Sequence, residues 1–269
     1  MSDSANEESK MPMLDHLVEL RRRLTWSVIA FFVLFFISFY FAAAVFDFLV
    51  QPLQDLWQGD TSRRLIFTAL HEKFFTEIKI AFFVAAFVSF PIVSNQLWAF
   101  VAPGLYKNEK RAFLPFLIAT PILFFIGGAF VYYLVLPVAW EFFAGYEQAG
   151  GDGKLAIQLE PKVDQYLSLV MRLIFAFGLS FELPVVLTLL AKVGIVDAAY
   201  LRKQRRYAVV VAFVAAAVLT PPDPISQLGL AIPIIILYEI SIICAGFVGR
   251  AKEAKNRADD DETDDSAKG

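Results

Sequence analysis

The sequence has few of the residues on which metal proteins and most enzymes depend. It contains one cysteine and two histidines in 269 residues, and only 19% of its residues are charged. A single cysteine cannot form an intrachain disulfide, and the two histidines lack the spacing of a metal site or a catalytic triad. A Gly-rich phosphate-binding loop is also missing. We therefore predict no metal, no cofactor and no catalytic residues.

Apolar residues are abundant instead, at 58% of the chain, and the mean hydropathy is +0.58. A helix needs roughly 20 apolar residues to cross a bilayer. Such runs lie at about 26–46, 78–100, 113–140, 166–191 and 228–248. A further run, from Tyr207 to Thr220, is short; it is the fifth in chain order, and 228–248 is the sixth. Because the runs are continuously apolar and do not alternate, they predict helices and not barrel strands. We predict an all-α, polytopic membrane protein with six transmembrane helices.

The distribution of Lys and Arg predicts the orientation of these helices. Seventeen of these residues lie before the first run, between runs two and three, between runs four and five, or after run six, whereas five lie in the other connections. Basic residues near the ends of spans stay on the cytoplasmic side. We expect both termini to be cytoplasmic and the protein to lie in the cytoplasmic (inner or plasma) membrane.

The two ends of the chain differ in composition from the rest. The segment DDDETDDS, after Ala258, is acidic and of low complexity, which is typical of a solvated tail. We predict disordered cytoplasmic segments at residues 1–12 and 251–269 and one six-span transmembrane domain at residues 13–250.

Prolines recur within or near the apolar runs. Each one removes a backbone donor and favours a kink, although neighbouring helices can also accommodate a proline without further effect. Kinked spans would form a curved bundle. The prolines are Pro91, Pro115, Pro121, Pro137, Pro184 and Pro233.

Three polar residues lie within runs where lipid is expected. Glu182, in AFGLSFELPVV, is about two-thirds of the way along the fourth run. An ionised carboxylate at that depth costs a few kcal/mol unless it faces water or a partner, so we expect a wet concavity there, the alternative being a protonated group without a role. Gln227 and Glu239, on the sixth run, indicate equally an intrachain polar clamp and a docking face for another protein's helix. Runs five and six form a hairpin too short for the bilayer, which predicts local membrane thinning.

One acid stands where basic residues are expected. Glu19, in HLVELRRRL, precedes Arg21, Arg22 and Arg23 and the first apolar run. The arginines can hold the N-terminus in the cytoplasm and pair with anionic headgroups, and Glu19 opposes both effects. Orientation alone does not explain it.

Five motifs together resemble the C subunit of the twin-arginine protein translocase, the TatC family. The resemblance covers about residues 13–250 and rests on HLVELRRRL, FFTEIK, LWAFVAPGLYKNEKR, FGLSFELPV and LTPPDPISQ, in this order. It implies a receptor for signal peptides that carry two adjacent arginines. It also implies export of folded precursors with the proton-motive force, and assembly with single-span TatA- and TatB-type subunits.

The resemblance also implies roles for individual residues. The residues implied for signal-peptide binding are Glu19, Leu20, Arg21, Phe100 and Glu109, and those implied for intramembrane or partner contacts are Glu182, Asp223, Gln227 and Glu239. Simpler explanations stay open. Glu109 lies in a loop charge cluster that could be only a solvated face, Phe100 could be an interfacial anchor beside Trp98, and Asp223 could be only a turn residue.

Two other classes of function compete with this prediction. A proton-coupled small-solute transporter would use Glu182 and Glu239 as relay carboxylates. It would also need broken spans and repeat symmetry, which the sequence does not indicate. An intramembrane enzyme would need a nucleophile with its base inside the spans, and the runs contain no such pair.

Overall fold

The structure is a computed structural model that describes the backbone of residues 3–57, 63–105, 114–151, 153–220 and 224–268. Side chains are described for residues 17–57, 63–100, 114–151, 153–220, 224 and 226–250. The helices are α1 Asp3–Tyr40, α2 Ala42–Leu56, α3 Glu72–Leu105, α4 Leu114–Phe130, α5 Leu136–Ala144, α6 Val163–Ser180, α7 Leu183–Val193, α8 Ala198–Lys203, α9 Arg205–Leu219 and α10 Pro224–Lys268, and a π-helical segment, Val131–Val135, joins α4 to α5.

Five helical stretches in this part of the chain are long and apolar enough to cross a membrane. They are Leu17–Tyr40, Glu72–Phe100, Leu114–Ala144, Val163–Val193 and Ser226–Arg250. They coincide with the five long apolar runs, which confirms the prediction of a helical, multi-pass membrane protein. The short run corresponds to α9, which has 15 residues and is therefore about 22 Å long. Its predicted shortness is confirmed.

The third and fourth spans are not regular α-helices throughout. The fourth is interrupted between Ser180, where α6 ends, and Leu183, where α7 begins. Pro184 has no N–H for the carbonyl of Ser180, so the regular ladder cannot continue there. In the third span the π-helical segment precedes Pro137. The sequence did not indicate a broken span, and the fourth span is interrupted next to Pro184, where a kink was predicted.

The chain divides into two compact units. The first comprises Met1–Gln51, Asp60–Pro121 and Glu160–Met171, and the second comprises Pro52–Gly59, Ile122–Leu159 and Arg172–Gly269. The disorder predicted for residues 1–12 and 251–269 stays a prediction, because the side chains there lie outside the described part of the chain.

In the first unit, α1 packs along α3 in the opposite direction. The rings of Phe31 and Phe82 meet edge to face with centroids 5.0 Å apart, and Arg23 reaches Gln96 nearer the start of α1 and the end of α3. The face of α3 that carries Ile80, Ala81 and Ala85 is fully buried. The antiparallel pairing therefore brings the beginning of α1 to the end of α3.

Polar contacts hold the other end of the first unit. The Tyr166 hydroxyl donates a 3.0 Å hydrogen bond to the Leu49 carbonyl, and Ile66 forms a parallel bridge with Lys162. Lys79 and Asp164 form an ion pair of 2.5 Å. Because these contacts join segments far apart in the sequence, they hold α2, the connection 63–71 and α3 against the start of α6.

In the second unit, α10 packs against α7, α8 and α9. Leu201, Ile242 and Ala245 form a buried cluster there, and the Tyr238 hydroxyl donates a 2.8 Å hydrogen bond to the Leu201 carbonyl. Gln148 and Ile157 exchange backbone hydrogen bonds of 2.9 and 3.0 Å, and Gly151 and Lys154 exchange bonds of 3.2 and 2.9 Å. These four residues are paired in isolated antiparallel bridges only.

Candidate functional site

The carboxylate of Glu19 is held by an arginine one turn along α1. The Nε and Nη2 atoms of Arg23 donate to the same carboxylate oxygen, Oε1, over 3.0 and 2.5 Å. Residues four apart on a helix lie on one face, and Glu followed by a basic residue is the favourable order. The side chains of Arg23 and Glu19 are 21% and 31% exposed. The pair is therefore partly shielded from solvent, and its attraction is screened less than that of a surface pair.

The same arginine connects Glu19 to α3. Its third nitrogen, Nη1, lies 3.3 Å from the Oε1 atom of Gln96. Phe100 follows Gln96 by four residues, which places it about 6 Å further along α3 and nearly on the same face. Phe100 is half-buried and takes part in a further contact. The structure thus brings Glu19 and Phe100 to the same end of the α1 and α3 pair.

The other residues assigned to this surface are placed differently. Leu20 is 40% exposed and Arg21 is exposed, both on α1. At 100° per residue, Arg21 lies about 200° around the helix from Glu19, on nearly the opposite face. The predicted roles of Leu20 and Arg21 in signal-peptide binding stay predictions. Glu109 lies outside the described residues, so its distance from Glu19 is not defined.

The polar residues of the hairpin contact their own chain. The Arg205 guanidinium on α9 lies 2.6 Å from a carboxylate oxygen of Glu239 on α10. Nearer the turn of the hairpin, the Gln227 amide donates a 3.4 Å hydrogen bond to the Phe213 carbonyl. Gln227 and Glu239 are 12 residues apart, or about 18 Å along α10, and they do not share one face. Of the two alternatives left open by the sequence, these contacts are those of an intrachain clamp.

The hairpin nevertheless presents an apolar surface. Val211, Val214 and Val218 of α9 are 65%, 58% and 71% exposed, and their spacing of three and four residues puts them on one helix face. Asp223, in the turn between α9 and α10, lies outside the described residues.

Glu182 lies at the interruption of the fourth span. Its backbone N–H donates to the Leu179 carbonyl over 3.1 Å, a bond across three residues, and its own carbonyl accepts from Val186 as α7 begins. The side chain is 7% exposed, so the carboxylate lies inside the protein and not on the lipid-facing surface. The wet concavity expected there stays a prediction.

One arginine of an ion pair in each unit was not singled out from the sequence. Arg23 and Arg205 were counted only as residues that orient the spans. The spacing of Glu19 and Arg23, four residues apart on a helix, could have identified the first pair. No comparable signal exists for Gln96, since its contact with Arg23 depends on the packing of α1 against α3. Among the described residues there is no group of three His, Cys, Asp or Glu side chains suited to a metal.

Comparisons with known proteins bear on the whole chain. The sequence model of the family described as "Sec-independent protein translocase protein (TatC)" matches residues 15–233. The TatC protein of Magnetococcus marinus is 48% identical over 248 residues, which are 92% of this chain and 87% of that protein. The TatC protein of Escherichia coli K12 is 42% identical over 247 residues, covering 91% of this chain and 92% of that protein.

Solved structures agree with the sequence matches. A crystal structure of the twin-arginine translocase receptor TatC superposes with a TM-score of 0.75 at 40% identity, over 87% of this chain and 99% of that one. A second crystal structure of the same receptor, in the detergent DDM, also gives 0.75. Identity of this extent and coverage goes beyond a shared fold.

Proposed function

The chain belongs to the TatC family of Sec-independent protein translocase subunits, and from this premise we propose that it binds the twin-arginine signal peptides of folded precursor proteins. It is a transport subunit and not an enzyme, and the family selects protein translocation over the small-solute transporter that the intramembrane carboxylates also suggested. The signal peptide is bound on the cytoplasmic side, at the end where α1 begins and α3 ends.

One observation carries this proposal: the carboxylate of Glu19 accepts two hydrogen bonds from a guanidinium group at the same helix-pair end as Phe100. A carboxylate that accepts the planar fork of one arginine suits another, whereas lysine offers only a point charge. Glu19 binds one arginine of the signal peptide and Glu109 binds the other. Phe100 contacts the apolar part of the peptide. Leu20 and Arg21, exposed on other faces of the same part of α1, contact the peptide outside the carboxylate site.

The topology proposed with this function has six spans, with α9 as the short fifth one and both termini in the cytoplasm. The excess of Lys and Arg on that side supports it, at seventeen residues against five. The protein resides in the cytoplasmic membrane and uses the proton-motive force for export. Single-span TatA- and TatB-type subunits dock on the hairpin of α9 and α10, whose exposed valine face suits a transmembrane helix, with Gln227, Glu239 and Asp223 nearby.

A binding titration tests the receptor role. The full chain, in lipid nanodiscs, is titrated with a synthetic signal peptide that carries two arginines and with the same peptide carrying two lysines. Glu19→Ala and Glu109→Ala should each weaken binding of the arginine peptide by roughly 1.5 to 3 kcal/mol, since each removes a charge-assisted hydrogen bond. Their effects should be non-additive if both acids hold one ligand.

The lysine peptide is the control for general charge attraction. If Glu19→Ala and Glu109→Ala lower the affinity of both peptides equally, the two acids do not recognise arginine and the composite site is wrong. Glu141→Gln supplies a second control, because it removes an exposed carboxylate from α5, in the second unit.

A further inference from the structure

Each of the three guanidinium nitrogens of Arg23 donates a hydrogen bond to a side-chain oxygen. Two of them lie on Glu19 Oε1, at 3.0 and 2.5 Å, and the third lies 3.3 Å from Gln96 Oε1. Glu19 and Arg23 are on α1, while Gln96 is on α3. The three residues therefore form one connected polar group between the two helices, one turn from Phe100.

This arrangement resembles what a bound peptide arginine would make. The planar guanidinium fork matches a carboxylate by donating two N–H groups. In this structure Arg23 donates two N–H groups to the carboxylate that is proposed to receive the ligand. Both bonds of Arg23 go to Oε1. A peptide guanidinium that forms the two-oxygen fork needs this oxygen as well as Oε2, and two cations on one carboxylate would repel each other.

We infer that Arg23 is an internal competitor for Glu19, held by Gln96, and that a twin-arginine peptide binds by replacing it. This inference rests on the proposed role of Glu19. A peptide that binds Glu19 has to displace Arg23, so its apparent affinity is reduced by the fraction of molecules in which the pair is formed. The cost is the same for every ligand that uses Glu19. A peptide therefore binds well only if its own contact with Glu19 is stronger than that of Arg23, and ligands with weaker contacts bind poorly.

The experiment compares two arginines that differ by one position. Arg23→Gln removes the competitor, and Arg22→Gln, at an exposed neighbouring residue, removes the same charge without touching the pair. The full chain in nanodiscs is titrated with the twin-arginine peptide. Arg23→Gln should increase the affinity by roughly three- to tenfold, the range expected for losing one partly shielded pair. Arg22→Gln should give a clearly smaller gain, from reduced charge repulsion alone.

A background variant and a second substitution make the result specific. In a Glu19→Gln chain, where Arg23 has no carboxylate to occupy, the further change Arg23→Gln should give no gain beyond that of Arg22→Gln. Gln96→Leu leaves every charge in place and loosens the hold on Arg23, so it should give a smaller gain of the same sign. This variant keeps the test informative if Arg23→Gln folds poorly.

The outcomes separate this inference from the proposed function. If Glu19→Gln weakens peptide binding but Arg23→Gln gains no more than Arg22→Gln, Glu19 is a receptor residue and Arg23 is not its competitor. A gain from Arg23→Gln that persists in the Glu19→Gln chain also overturns the inference. If Glu19→Gln leaves the affinity unchanged, the proposed role of Glu19 fails, and the inference fails with it.

Discussion

Arg205 and Glu239 join the two helices of the hairpin through an ion pair of 2.6 Å. Arg205 begins α9 and Glu239 lies in the middle of the apolar part of α10. The contact lies about 18 Å along α10 from the hydrogen bond of Gln227 to Phe213. Two polar contacts about 18 Å apart thus join α9 to α10. The exposed valines of α9 make no polar contact themselves.

Exchange of the two charges in this pair tests its contribution to the hairpin. Both side chains are about half exposed, at 51% and 43%, and Glu239 lies within a candidate membrane span, where a polar contact between helices contributes about 0.6 to 2 kcal/mol. We expect Glu239→Gln to lower the thermal unfolding midpoint by a few degrees. The exchange Arg205→Glu with Glu239→Arg should restore most of the loss.

Arg202→Gln is the matched control, because it removes an exposed basic residue from neighbouring α8. The single variants Arg205→Glu and Glu239→Arg are measured as well. If the thermal midpoint of the exchanged chain falls by the sum of the two single losses, the ion pair does not stabilise the hairpin. The exchanged chain also separates stability from docking, since it keeps the clamp while reversing the charge that a partner would meet.

Gln227→Leu tests whether the hairpin docks a single-span partner through a polar group. The substitution removes the only amide near the turn end of α10 and should reduce recovery of the TatA- or TatB-type subunit on co-purification. Besides its hydrogen bond to the Phe213 carbonyl, the Gln227 amide has a second N–H and a carbonyl with which it can bond a partner helix. Loss of one such bond within a membrane costs about 0.6 to 2 kcal/mol, or roughly three- to thirtyfold in affinity.

Ser241→Ala provides the control for this prediction. The Ser241 hydroxyl is fully buried and donates to the Leu237 carbonyl of its own helix, so no partner can reach it. Unchanged partner recovery with Gln227→Leu, together with unchanged crosslinks from α9, would show that Gln227 serves only the contact with Phe213.

Two glycines set the closest approach of α4 and α6 in the second unit. A Cβ on Gly178 would lie 2.7 Å from the ring of Phe124, which is fully buried, and a Cβ on Gly127 would lie 2.7 Å from the Phe177 carbonyl oxygen. Gly178→Ala and Gly127→Ala should each destabilise the protein by about 1 to 3 kcal/mol, because neither neighbour can move freely. Thermal unfolding in detergent measures the loss.

Gly229, on α10, is the control position, since a Cβ there would meet nothing within 4 Å. Gly229→Ala should be neutral or stabilising by up to about 1 kcal/mol, because alanine favours the helix. Equal melting of Gly127→Ala and Gly229→Ala would contradict the close approach.

The sequence predicts the spans well because burial in lipid requires long apolar runs. The five long runs and the short α9 follow from this requirement alone. Interruptions within the spans are less well predicted. The first run, at about 26–46, is divided at Phe41 into α1 and α2, and apolar residues on both sides give no indication of the turn. Pro184 indicated a kink, but hydropathy could not show that the helix would be interrupted.

The candidate site is only partly predictable for a related reason. Glu19 could be identified as an acid out of place among arginines, and its pairing with Arg23 follows from helical spacing. The contact between Arg23 and Gln96 joins residues 73 positions apart, and the one between Arg205 and Glu239 joins residues 34 apart. Such contacts depend on which helices pack together, and a single sequence carries no direct record of that.

The buried carboxylate at the interrupted span leads to the last prediction. Irregular backbone at membrane depth is tolerated where it is buried in protein or lines a water-filled cavity, and an ionised group in lipid is costly. Glu182 is 7% exposed and lies beside the interruption of the fourth span. A narrow water-filled hollow that reaches it would accommodate both the irregular backbone and an ionised carboxylate. Glu182→Gln, which keeps the shape of the side chain, should preserve the thermal midpoint and signal-peptide affinity while slowing export of a folded precursor into inverted membrane vesicles. Glu141→Gln, at an exposed position, should leave export unchanged.

Thiol labelling tests the hollow itself. Cys244, the one cysteine of the chain, is replaced by Cys244→Ser, and Glu182→Cys is introduced in that background. A small water-soluble maleimide should react with the new thiol more slowly than with a thiol at an exposed position but faster than with one on the lipid-facing side of α10, such as Ile243→Cys. If the thiol at position 182 resists every water-soluble reagent, no water reaches this carboxylate. Any export defect of Glu182→Gln would then come from a contact inside the protein, since the buried carboxyl would have no aqueous path along which to exchange a proton.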